Sequence, residues 1–331
     1  MYSDEELDNA VTKGIFSSGS VQEFRQFIVE TRNSHQVDEE NFRLLSGFND
    51  IFVIIASGLL LASVAWLGFE YTPVLGGTIL AVGSWGLAEI FVRRKRMALP
   101  AIGLLLSFLA GLFAIPISVS EPVSEIQFFA AAALTIAGAW AHWQRFRVPI
   151  TLAAGVVALI LGIFGMLVNL YPMMQFYYQP YMAAAGALTF IMAMFWDTQD
   201  PQRITRNSDV AFWLHLLSAP LIVHPIFSSL GVFSGITGYS TAIVVLGLYL
   251  LLALVSIVVD RRAIMASALV YVVYALSDLL ENVGFVSYGL AVAGVFIGGS
   301  LLLLSAYWHQ TRQHVVRILP QATHRFLPSF N

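Results

Sequence analysis

The chain has no cysteine among its 331 residues. That excludes disulfides, thiolate nucleophiles and Cys-ligated zinc or iron–sulfur centres together. Charge is nearly as scarce: 11% of residues are Asp, Glu, Lys or Arg, where a soluble domain carries about a quarter. No basic domain or basic–aromatic stripe occurs, so nucleic acid is not an expected partner. No HExxH or GxSxG spacing occurs either, and no cofactor or metal site is expected. The opening MYSDEELDNA is acidic and polar. It lacks the basic start and early apolar run of a cleaved signal peptide.

What the chain has in quantity is apolar surface, with 58% hydrophobic residues and a mean hydropathy of +0.76. Water cannot solvate such a surface, so most of it must face lipid. Runs of about twenty apolar residues cross a bilayer core of about 30 Å as helices. Ten such runs are legible, near 50–69, 72–92, 98–119, 123–142, 148–170, 180–196, 209–232, 240–259, 263–281 and 284–307. The expected fold is therefore all-α, a polytopic transmembrane helical bundle of about ten spans.

The connections give an independent test, because Lys and Arg accumulate in short cytoplasmic loops. All 17 of them fall before the first span, in the alternate turns that follow spans two, four, six and eight, or in the tail. They include the run Arg93-Arg94-Lys95-Arg96 and the pairs Arg145/Arg147, Arg203/Arg206 and Arg261/Arg262. The opposite loops carry Glu70, Glu121, Glu125 and Glu281 and no basic residue. An even span count with both termini cytoplasmic follows.

Three segments result: a cytosolic helical prefix over 1–48, the bundle over 49–307, and an interfacial helix and tail over 308–331. Ser3/Glu6 and Ser20/Glu23 have capping-box spacing, and a third helix is expected from Asp38 into the first span. The prefix is too small for a conventional catalytic domain, and it suits an interfacial collar or the docking of a cytosolic partner. Trp308 to Leu319 mixes basic and apolar residues and reads as a helix lying in the interface.

The cytoplasmic turns resemble one another: Glu89 to Ile102, Trp140 to Ile150, and the turns opened by Trp196-Asp197 and Asp260-Arg261-Arg262. A shared need for aromatic belts and positive charge accounts for most of this, and a duplicated helical hairpin is the sharper alternative. The short prefix, the turn "RFRVPI" and the ten-span plan resemble a family of uncharacterised bacterial multipass inner-membrane proteins, over most of the chain. That resemblance implies a bacterial inner membrane and brings no activity with it. In topology alone the chain also resembles the drug/metabolite transporter superfamily, from which the soluble prefix departs.

Ionisable residues inside a membrane are costly, and function is the first explanation to test. Span seven carries His215, Pro220, His224 and Pro225. Nine residues apart, its histidines lie on opposite faces of a straight helix, so they share a ligand only if a proline breaks it. Counting about 1.5 Å per residue, His224 reaches the depth of Asp278, with Glu281 on the same face. This makes His224, Asp278, Glu281 and His215 candidates for a proton relay or a substrate site, against a reading in which Asp278 and Glu281 merely reach the outer interface. A second candidate cluster or gate gathers at the cytoplasmic end: Glu89, His142, Asp197, Asp200, Arg203, Arg206, Asp209 and Asp260. Helix-end ion pairs are its plainer explanation, and Glu89/Arg93 has the i,i+4 spacing of one. Glycines at helical spacing in spans two, five and ten (Gly76-Gly77 and Gly83, Gly155, Gly162 and Gly165, Gly294, Gly298 and Gly299) suggest close helix packing.

Three functions fit. One is a proton-coupled transporter of an unknown small solute, with His224 as proton carrier and the Arg203/Arg206 loop closing as a gate on Asp197, Asp200 or Asp209. The alternatives are a membrane enzyme acting on lipid through His142, His215, Asp209 and Asp260 with Ser208 as nucleophile, and a membrane sensor or scaffold.

Overall fold

The computed structural model describes residues 10–17, 19–24, 48–201, 203, 205–231, 239–282 and 288–320. The chain forms two compact units, Met1–Glu39 and Glu40–Asn331. In the first, a short helix over 19–24 is capped by Ser17, whose hydroxyl accepts the Ser20 N–H at 3.0 Å. The cap is thus Ser17, three residues before the expected Ser20. The Ser3/Glu6 pair and the start of the helix expected from Asp38 lie outside the described residues.

The second unit holds eleven α-helices among its described residues. They are α1 (Phe48–Tyr71), α2 (Pro73–Ala88), α3 (Ala98–Ile117), α4 (Glu125–Phe146), α5 (Ile150–Leu170), α6 (Tyr178–Thr198), α7 (Arg206–Ser229), α8 (Tyr239–Val259), α9 (Ala263–Asn282), α10 (Gly289–Ala306) and α11 (Trp308–Ile318). A π-helical turn, Glu89–Arg94, extends α2. Eight of these helices are long and apolar enough to cross a membrane; α4 and α6 have the length but are less apolar, and α11 is short. Gln127, His142, Gln144 and Arg145 dilute α4, and Gln179 and Asp197 dilute α6. Outward-facing Leu59 (69% exposed), Leu188 (69%) and Leu302 (74%) leave an apolar exterior of the kind that soluble monomers avoid.

Helices α1 to α5 pack as successive neighbours, α2 against α3 most extensively. Gly111 makes that approach possible: a Cβ there would stand 2.6 Å from the Ala81 nitrogen and 2.7 Å from the Gly77 oxygen. The glycines of α10 play no such part, since a Cβ at Gly294, Gly298 or Gly299 meets nothing within 4 Å. Helix α5 packs on α7, which is sandwiched between α6 and α9, and α9 carries α8 and α10. Both prolines of α7 are accommodated within a helix unbroken from Arg206 to Ser229, so the break that would let His215 and His224 share a ligand does not occur.

The turns after α2, α4, α6 and α8 share a backbone device. Among the described residues each contains one non-glycine residue at positive φ: Arg96 (52°), Arg147 (53°), Arg203 (55°) and Asp260 (59°). Left-handed backbone costs an L-residue about 1–2 kcal/mol. Arg96 is exposed, so glycine there removes strain and little else. Arg96→Gly is expected to raise the unfolding temperature, by the equivalent of about 0.5 kcal/mol once the looser unfolded chain is counted. Differential scanning fluorimetry reads this directly, and a lowered temperature would show that Arg96 makes a contact of value.

Candidate functional site

The turns after α6 and α8 meet at one end of the bundle, and the start of α11 joins them. Their charges are buried rather than solvated. Asp197 is 2% exposed, Arg261 and His215 0%, Arg203 5% and Asp260 7%.

At the end of α6, Asp197 accepts from two sides. The Arg261 guanidinium donates to Oδ1 at 2.5 Å and, through Nε, to Oδ2 at 3.4 Å. His215 Nε2, one face inward on α7, lies 2.8 Å from Oδ2. A carboxylate that accepts on Oδ2 fixes the tautomer: Nε2 carries the proton when the ring is neutral. The other ring nitrogen, Nδ1, is buried and has no hydrogen-bond partner among the described residues. Arg261 also reaches the Ser208 carbonyl (3.4 Å) and hydroxyl (3.5 Å).

Around Asp260 a second set closes. Arg203 donates to its Oδ2 at 2.8 Å and to its carbonyl at 3.2 Å. The Trp308 indole donates to Oδ1 at 2.6 Å, and Arg312 lies 3.7 Å away. Arg262 stacks over the Trp308 ring, 4.9 Å from its centroid. Burial pushes the Asp260 carboxyl up, but the Arg203 guanidinium, with Arg312 and the Trp308 indole, more than reverses this and holds it below the usual carboxylate range. Ser256 braces the turn by donating to the Arg261 carbonyl at 2.7 Å.

Helix α11 is therefore docked, not merely interfacial. Trp308, Arg312 and Val316 form one buried stripe at four-residue spacing, packed against α8 and α10.

The expected inner cluster resolves into separate settings. Glu89 binds Arg93 (3.2 Å) and, unforeseen, Arg145 (2.6 Å), on an exposed face. Such exposed pairs are screened by solvent and contribute little to stability. His142 sits among Trp85, Phe108 and Phe146 with Nδ1 3.1 Å from the Thr151 hydroxyl. Asp200 braces its own turn through the Thr205 N–H and hydroxyl, at 2.8 and 2.7 Å. Arg206 is exposed and Asp209 half-buried in the first turn of α7. Arg203 reaches across to Asp260, while Asp197 is occupied by Arg261 and His215; the gate pairings expected from the sequence are exchanged. Ser208 touches Arg261 and neither histidine, which leaves the lipid-enzyme reading without an activated nucleophile.

At the other end, His224 Nδ1 meets the Tyr271 hydroxyl on α9. The carrier expected to face Asp278 is thus engaged by a phenol. The Asp278 side chain is half-buried, and that of Glu281 lies outside the described residues.

One helical turn past His215 toward the middle of the bundle lies a cavity of about 150 Å³ between α6, α7, α8 and the start of α9. Phe190, Ser218, Ala219, Leu252 and Ile264 are among its walls. The Phe190 ring stands edge-on to the His215 ring, centroids 5.2 Å apart, and the Ser218 hydroxyl donates to the His215 carbonyl at 3.0 Å. The charged network thus lies one helical turn from this cavity and touches its walls at Phe190 and Ser218.

No protein-family model, curated protein or solved structure matches the chain.

Proposed function

We propose that the chain is a multi-pass membrane protein of about ten spans that moves a small solute, and that the Asp197/His215/Arg261 and Arg203/Asp260/Trp308 sets are its closed gate. The gate lies on the side of the termini, which the one-sided distribution of Lys and Arg makes cytoplasmic. In the resemblance noted above, that membrane is the bacterial inner membrane.

The observation that carries this reading is a buried, doubly ion-paired latch between the α6–α7 and α8–α9 turns, one helical turn from an apolar cavity. Buried ion pairs are poor stabilisers, because desolvation offsets most of their attraction, and apolar replacements of similar volume are often as stable. A bundle that needed only bracing has a cheaper solution in leucine. Charge earns its place where an element must have two arrangements. Helix α11 adds a second fastening through Trp308 and Arg312.

The native absence of cysteine makes the test clean. Ala219 is 2% exposed and lines the cavity. In sealed vesicles, Ala219→Cys is expected to resist a membrane-impermeant thiol reagent applied from the side of the termini. Adding Asp260→Asn, which removes the charge facing Arg203 and Arg312, should raise its labelling at least tenfold. A variant that melts lower yet labels no faster identifies the latch as a brace and ends the gate reading.

A further inference from the structure

The unpartnered Nδ1 of His215 is the most telling atom in the latch. Native structures rarely leave a buried polar atom without a partner, and each such atom calls for a reason. Asp197 accepts from Nε2 on Oδ2 and from Arg261 on Oδ1, and the adjoining Ser218 hydroxyl donates to the His215 carbonyl.

We infer that His215 is the proton-binding group of the gate, closed when the ring is neutral and released when Nδ1 takes a proton from water on the side of the termini. The inference rests on the gate reading and adds its trigger.

The charges facing His215 set the direction. From α6 comes Asp197, from the turn before α9 comes Arg261, and Arg203 of the α6–α7 turn acts on it from further away. Helix α5, which also packs on α7, contains no ionisable residue. On α9, Tyr271 is turned to His224, and Tyr274 and Asp278 lie further along the same helix. Asp197 and Arg261 already neutralise each other. A proton on Nδ1 therefore adds one uncompensated positive charge and one unsatisfied N–H to a buried site. Both penalties vanish if the turns separate and water enters, so protonation selects the open arrangement. Only a proton moves: Nδ1 gains it, and Nε2 keeps its own.

The experiment uses Ala219→Cys in vesicles at pH 8 and pH 6, with each labelling rate divided by that of an exposed reference thiol, Gln144→Cys, to cancel thiolate chemistry. One coupled proton shifts the equilibrium by up to about tenfold per pH unit. The ratio is expected to rise about fourfold at pH 6, the change one proton gives when the released imidazole titrates at its ordinary value of about 6.5, and to stay low at both values with His215→Gln, whose amide N–H still reaches Asp197 but cannot gain a proton. A parent ratio independent of pH, or a Gln variant that keeps the parent's response, overturns the assignment. If the Gln variant does not fold, nitrogen-15 imidazole signals of the parent decide. The Nε2–H tautomer must give way to imidazolium with the midpoint of the labelling change, and a different midpoint overturns the assignment. Asp260→Asn separates the two ideas: if it opens the cavity at both pH values while the parent ignores pH, the gate stands and the proton trigger falls.

Discussion

Asp197→Ala is expected to destabilise the protein by about 3–5 kcal/mol, the cost of leaving a buried charge without its partner. The Arg261 guanidinium is wholly buried, and Asp197 is the carboxylate that meets it. With the carboxylate gone, a buried cation remains in the bundle beside the neutral Ser208 oxygens, at 3.4 and 3.5 Å. His215 loses its acceptor in the same step. Unfolding temperatures in detergent measure the effect, and Asp197→Asn, which keeps the shape and one acceptor, should fall between the parent and Ala. A loss below about 1 kcal/mol, the worth of an exposed pair, would mean that water already reaches the site.

Trp308→Ala is expected to cost a similar amount, about 3–5 kcal/mol for deleting a buried large aromatic. The indole is 1% exposed, packs with Ile257 and Met265, carries Arg262 on its face and donates to Asp260. Its loss should also free α11 from the bundle. Trypsin, which finds Arg312 buried at 4% exposure in the parent, is then expected to cleave there rapidly. Trp308→Phe retains the ring packing and isolates the indole hydrogen bond, worth about 1.5–3 kcal/mol when made to a charged acceptor. Unchanged cleavage in the Ala variant would show that α11 is held by its remaining apolar contacts alone.

The long helices were legible because apolar runs of bilayer length carry their own signal. Each expected run from 50–69 to 284–307 matches one helix from α1 to α10 to within about five residues at either end. The turns were also legible as a class, from their charge. The ion pairs place the ends of α2 and α4 together, and the turns after α6 and α8 together with α11.

What the sequence did not disclose was pairing. Arg203 meets Asp260 across 57 residues and Arg261 meets Asp197 across 64, distances over which neither spacing nor periodicity constrains a partner. Arg261 escaped notice for a physical reason: a basic residue beside a span reads as a topology signal, and nothing local distinguishes a solvated one from a buried one. Its neighbours held a hint, since Asp260-Arg261-Arg262 packs three charges into a turn without glycine. The stripe of Trp308, Arg312 and Val316 was a second, because an arginine on the buried face of an amphipathic helix demands a carboxylate. His224 misled because counting from the helix starts put Asp278 at its depth, whereas the residue beside it is Tyr271, seven residues and about 10 Å nearer the start of α9.

The measurement that bears most directly on the latch replaces Asp197, His215 and Arg261 together with leucine and reads stability and Ala219→Cys labelling in the same protein. If the charges are there to let the gate open, the triple variant melts at or above the parent, and its cavity stays closed to the reagent at pH 6 and pH 8 alike. A triple variant that melts as low as Asp197→Ala, or that labels with the parent's pH response, would contradict the account.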